Sequence, residues 1–105
     1  MILYGLKTCD TCRKALKSLG EAVEFRDIRS DGLPEGLVQV AYAQFGEALV
    51  NRKSTTWRGL SEEDRETDPI TLLAAYPALM KRPLIDDSGT LYLGWGKDTQ
   101  AALLG

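Results

Sequence analysis

The sequence predicts a single α/β domain built on a mixed four-stranded sheet, and three observations carry that reading. A short apolar run opens the 105-residue chain, followed at once by a helical pattern and a second, alternating run. The middle, from Pro34 to Met80, is patterned as helix. Two extended segments separated by Asp87-Ser88-Gly89 then precede a short final helix. This length can bury one real core and is too short for two.

Taken in order, "MILYGL" reads as a buried strand. After Thr8, residues Cys12, Ala15, Leu16 and Leu19 fall at i, i+3, i+4 and i+7, one stripe of a helix. Thr8 is placed to cap its start, and Gly20 to end it with a left-handed residue. "AVEFRDIR" supplies the second strand, with Val23 and Phe25 on one face. Strand, helix and strand with short connections make a right-handed βαβ unit. In "PEGLVQVAYAQFG", Leu37, Val40, Ala41 and Phe45 share a helical face and Gly46 is a stop. Ser61 with Asp64 resembles a capping box, and Asp68-Pro69 starts a helix with proline in its first turn. Tyr76-Pro77 breaks that helix. "KRPLID" and "TLYLGW" read as a hairpin, and "KDTQAALL" as the last helix. With a Cys-x-x-Cys at the first strand–helix junction, this order gives a thioredoxin-like fold. Its α-helical insertion, about 34–80, falls between the second strand and the C-terminal hairpin.

The hydrophobic share of 44% and charged share of 27% are those of an ordinary globular protein. A net charge of -2 argues against a bulk basic surface for nucleic acid. The apolar runs fall far short of membrane-spanning length. "MILYGLKTCD" lacks a basic segment followed by an extended apolar one, so it does not read as a signal peptide and a cytoplasmic location is expected. That expectation bears on the two cysteines, because reducing compartments disfavour permanent disulfides. Two cysteines without any histidine also fail to complete a zinc site, so no metal and no bound cofactor is expected.

Cys9 lies in the loop leaving the first strand, at the start of the first helix. Unpaired helix N–H groups and the positive end of the dipole favour a thiolate there. Lys7 and Arg13 add positive charge nearby, while Asp10 opposes it. Cys12, one turn on, points toward the core; it reads equally well as a resolving thiol or as apolar filler. Three arginines are candidates to hold an anion. Arg82 precedes Pro83 at the start of the hairpin, where folds of this kind face the cysteine and the proline is often cis. Arg58 lies in "STTWRGL", and Arg13 projects from the cysteine helix itself. Converging on Cys9, such groups would form an oxyanion pocket of planar, multi-donor cations. A surface arginine is by default simply solvated, Trp57 is more often an anchor than a substrate contact, and Arg52 has no distinguishing feature.

The motifs "YGLKTCDTCRKAL", "FRDIRSDGL", "NRKSTTWRGL", "KRPLI" and "LGWGKD" resemble, in order and spacing, the ArsC-like family. That family includes glutathione/glutaredoxin-coupled arsenate reductases, Spx transcriptional regulators and small members of the YffB type. The resemblance implies Cys9 as the nucleophile and Arg58 and Arg82 as two of three anion-binding arginines. The third meets "GWGKD", where Lys97 is the nearest cation. The histidine that precedes the cysteine in the reductases has no counterpart, and Gly5 stands near its place. The position of Cys12, commonly serine in the reductases, matches the Cys-x-x-Cys of Spx regulators, which bind the RNA polymerase α subunit. "STTWRGL" and "RPLI" are closer to the YffB type. The resemblance therefore implies a thiol-dependent reductase whose co-substrate is glutathione or glutaredoxin and whose substrate is a small oxyanion or a mixed disulfide. An Spx-like redox-sensing regulator is the alternative.

Overall fold

The computed structural model describes residues 1–34 and 36–104. Strand β1 (Ile2–Gly5) leads through a tight loop into α1 (Asp10–Leu19), then to β2 (Glu24–Asp27) and a single helical turn, α2 (Ile28–Asp31). The middle carries α3 (Leu37–Phe45), α4 (Thr55–Arg58), α5 (Glu62–Arg65) and α6 (Pro69–Ala75). Strands β3 (Leu84–Asp87) and β4 (Thr90–Leu93) and helix α7 (Lys97–Leu104) complete the chain. The sheet order is β2-β1-β3-β4. β1 and β2 are parallel, while β3 runs antiparallel to both β1 and β4. The mixed four-stranded sheet is therefore as expected. Among the described residues no helix is long and apolar enough to cross a membrane.

The chain divides into two compact units, Met1–Asp31 with Arg82–Gly105, and Gly32–Lys81. In the first unit, the core is Leu3, Cys12, Ala15 and Ile85, each fully buried, with Val23, Phe25, Leu16 and Leu19 packed around them. Alternation along β1 puts Leu3 and Gly5 on one face of the sheet. In the second unit, Val38, Ala41, Leu49, Leu72, Leu73, Leu79 and Met80 are buried. There a bridge pairs Val50 with Met80, flanked by bonds from Asn51 N–H to the Leu79 carbonyl (2.7 Å) and from Lys81 N–H to the Leu49 carbonyl (2.7 Å).

Three local expectations are corrected. Thr8 does not cap α1: Cys9 holds the N-cap position, and its N–H closes a turn onto the Leu6 carbonyl at 3.1 Å. The second strand ends at Asp27, because the Asp27 carboxylate accepts the N–H groups of Arg29 (2.9 Å) and Ser30 (3.3 Å) and starts α2. Val40 is 59% exposed, and Val38 and Ala41 take the buried face of α3. The run "LVQVA" has apolar residues at adjacent positions, so periodicity alone left the helix free to rotate about its axis.

The helix starts at Ser61 and Asp68 are as read. Ser61 Oγ accepts the Asp64 N–H, and Asp68 accepts the Thr71 N–H, each at 3.1 Å. The hairpin turns on Ser88 and Gly89, with φ of 53° and 97°, a pair of left-handed residues that matches the strand twist. Gly89→Ala is expected to lower stability by about 1 kcal/mol or more, since a side chain is strained at that φ. Chemical denaturation of the variant beside the wild type measures it.

Candidate functional site

The loop between β1 and α1 positions both cysteines. Cys9 is half-buried and its carbonyl accepts the Arg13 N–H at 3.0 Å, the first bond of the helix. Its sulfur therefore stands beside the unpaired N–H groups of the first turn. Cys12, three residues on, is fully buried in the core of the first unit. Both are free thiols. The Arg82–Pro83 peptide, just before β3, is cis, and Pro83 is fully buried.

The electrostatics separate the two thiols. Burial pushes the Cys9 thiol up. Hydrogen bonds donated by the Cys12 N–H and the Cys12 thiol, another from Arg82, and the Arg82 charge outweigh burial and hold Cys9 below its ordinary value. Burial pushes the Cys12 thiol up to about 12; the Leu6 N–H works against this, while the bond to Cys9 and the Cys9 charge add to it. Of the two, Cys9 is thus the thiol that ionises more readily, and Cys12 the one that keeps its proton.

Each thiol also links stability to pH, with opposite sign. The depressed Cys9 contributes stability above its unfolded value that is lost as pH falls through the folded one. The raised Cys12 contributes stability that is complete below its unfolded value near 9.0 and lost as pH rises toward about 12. Above pH 9 that loss approaches about 1.4 kcal/mol per pH unit for one proton. Cys12→Ser, which has no thiol to ionise there, is expected to show a shallower alkaline loss of stability, read by denaturation at stepped pH.

The other expected site residues are distributed as follows. Arg82 meets Cys9. Arg13 donates from Nε to the Lys7 carbonyl at 2.9 Å and stands 3.6 Å from Asp10, so it braces the cysteine loop. The charge that acts on Cys9 comes from Arg82. Lys97 opens α7 and is exposed. Arg58 belongs to the second unit, where it ends α4 and its carbonyl accepts a bond from Arg65 at 3.1 Å.

Asp27 passed unremarked in the sequence, and Arg52 was read as without a distinguishing feature. Asp27, besides starting α2, accepts the Lys7 N–H at 3.4 Å and so ties the cysteine loop to the end of β2. Burial would raise its carboxyl, but the N–H groups of Arg29, Lys7 and Ser30 hold it below the usual range. An aspartate closing a strand before a turn is the signal that could have found it. Arg52 lies 5.6 Å from the centre of the Trp57 ring, pairs with Glu47, and lines a cavity of about 430 Å³ with Lys53 and Lys81. Arg65 approaches the same ring at 5.8 Å, so Trp57 anchors cations within the second unit.

The profile of the ArsC family matches residues 4–103. The chain belongs to the ArsC family. A relative, an uncharacterised protein of Haemophilus influenzae, is 41% identical over 109 residues, spanning 95% of this chain and 96% of that one. Among solved structures, the YFFB protein superposes with a TM-score of 0.87 at 32% identity, covering 99% of this chain and 98% of the other. An arsenate reductase (ArsC) related protein from Brucella melitensis gives 0.69 at 30% identity, covering 98% and 92%. These neighbours bear out the resemblance read from the sequence and its thioredoxin-like fold.

Proposed function

We propose that this ArsC-family protein is a thiol-dependent reductase in which Cys9 attacks and glutathione restores it. The observation that carries the reading is the Cys9 sulfur, half-exposed at the start of α1 and held below its ordinary value by Cys12 and Arg82. In the step, the Cys9 thiolate attacks the glutathione sulfur of a mixed disulfide. A Cys9–glutathione disulfide forms and the substrate leaves as its thiolate. A second glutathione thiolate then attacks that adduct, releasing glutathione disulfide and regenerating Cys9. Arg82 and the backbone N–H groups of residues 10–12 offer donors to the anion of the substrate, a carboxylate or an oxyanion. The reading needs only Cys9, Cys12 and Arg82.

Release by external glutathione is favoured over release by Cys12. The Cys12 sulfur is fully buried and burial pushes its thiol up, so little of it is available as an attacking thiolate. The arsenate reductase-related neighbour makes an oxyanion the second substrate class to try.

The test is steady-state turnover of the reduced protein with glutathione, using either a small glutathione mixed disulfide or arsenate as oxidant. Glutathione-dependent multiple turnover with one of them is the expected result. Absence of turnover with both, together with redox-dependent retention on the C-terminal domain of the RNA polymerase α subunit, would replace the reductase by an Spx-like regulator.

A further inference from the structure

Gly5 ends β1, is buried, and pairs in register with Asp27. Its φ lies outside the range that only glycine adopts readily, so the backbone does not call for glycine there. A glycine at the end of a strand without that need marks a close approach by another group. The approaching group is Cys12. A Cβ built on Gly5 falls well inside van der Waals contact with Cys12 Sγ, and 3.3 Å from both Cys12 Cβ and Leu3 Cδ2. Turning the Cys12 side chain leaves its Cβ in place, and Leu3, Ala15 and Ile85 close the core around it. The Cys12 sulfur therefore occupies the volume that a side chain at position 5 would take. There it accepts the Leu6 N–H on one side and donates to Cys9 on the other.

We propose that Gly5 is a positioning residue for the reacting thiolate: the missing side chain leaves the space that the Cys12 sulfur fills, and filling it brings the Cys12 thiol into hydrogen-bonding reach of Cys9. The inference rests on the reading of Cys9 as the nucleophile and adds the residue that keeps its donor in place. The charged and titratable groups around Cys9 are Arg82 before β3 and Cys12, Lys7, Asp10 and Arg13 of its own loop and helix. Arg13 is engaged with the Lys7 carbonyl and Asp10, which leaves Cys12 and Arg82 as the groups that set the thiolate.

The experiment follows the rate of Cys9 carbamidomethylation by iodoacetamide against pH, with thermal unfolding as a check on folding. The set is wild type, Gly5→Ala, Cys12→Ala, Cys12→Ser and Gly5→Ala/Cys12→Ala. Cys12→Ser retains a donor and is expected to keep a lowered inflection. Cys12→Ala and Gly5→Ala are each expected to raise it and slow the reaction at neutral pH roughly three- to tenfold, the worth of one ordinary hydrogen bond. The double variant is expected to match the Cys12→Ala inflection, because without the sulfur the new methyl group displaces no donor, and its 3.3 Å approaches to the residue-12 Cβ and Leu3 Cδ2 bear on stability alone. A folded Gly5→Ala with the wild-type inflection overturns the proposal. So does a double variant in which Gly5→Ala adds its full effect again. If Gly5→Ala fails to fold, recovery of folding in the double variant with a raised inflection in Cys12→Ala supports it, and failure of both overturns it. An ordinary inflection in the wild type would instead remove the nucleophile reading itself.

Discussion

Replacing Cys9 by serine is expected to abolish glutathione-dependent turnover, by at least about a thousandfold, while leaving the thermal midpoint within a few degrees of wild type. A hydroxyl at this position has no accessible anion near neutral pH, and a helix start cannot supply one. The fold should tolerate the change because Cys9 is half-exposed and serine is a favoured residue at the N-cap position it holds. Turnover with a mixed disulfide, measured on matched preparations, decides it. Retention of even a tenth of the activity would mean that another group does the chemistry.

Arg82→Met carries the second large effect. Arg82 both donates to Cys9 and acts on it through its charge. Methionine keeps much of the apolar stem and removes both contributions. A charge-assisted hydrogen bond contributes about 1.5–3 kcal/mol, which corresponds to roughly a ten- to hundredfold slower reaction of Cys9 at neutral pH. The alkylation inflection should also move up. Arg82→Lys is expected to fall between the two, since it retains the charge without the planar fork. A methionine variant with wild-type rate and inflection would leave Cys12 as the source of the thiolate and remove Arg82 from the site.

Much of this was legible in the sequence, for reasons that differ from place to place. Ser61, Asp68-Pro69 and the Ser88-Gly89 turn act through local chemistry, so their residue types announced them. The two cysteines were legible because strand, loop and helix are consecutive, and three residues make one helical turn. The burial face of α3 was not, because an apolar residue at nearly every position leaves the choice to tertiary packing. Thr8 failed as a cap because the turn from Leu6 to Cys9 moves the helix start one residue on. The surroundings of Cys9 were half legible: Arg82 was expected to face it, as it does, but the hydrogen bonds from Cys12 were not foreseen. The Cys12–Cys9 bond depends on the space over Gly5, a contact between a strand and a helix that no periodicity records. There the Cys12 sulfur fills the place where a side chain at position 5 would stand.

The central claim is that Cys9, and not Cys12, reacts with the thiol co-substrate. It is tested most directly by mixing reduced protein with glutathione disulfide and locating the adduct by mass spectrometry. Both cysteines fall between Lys7 and Arg13, so the modified peptide must be fragmented to assign the sulfur. A single glutathionyl group on Cys9, removed by added glutathione, is the predicted result. An adduct on Cys12, or no adduct under conditions that alkylate Cys9, would contradict the account.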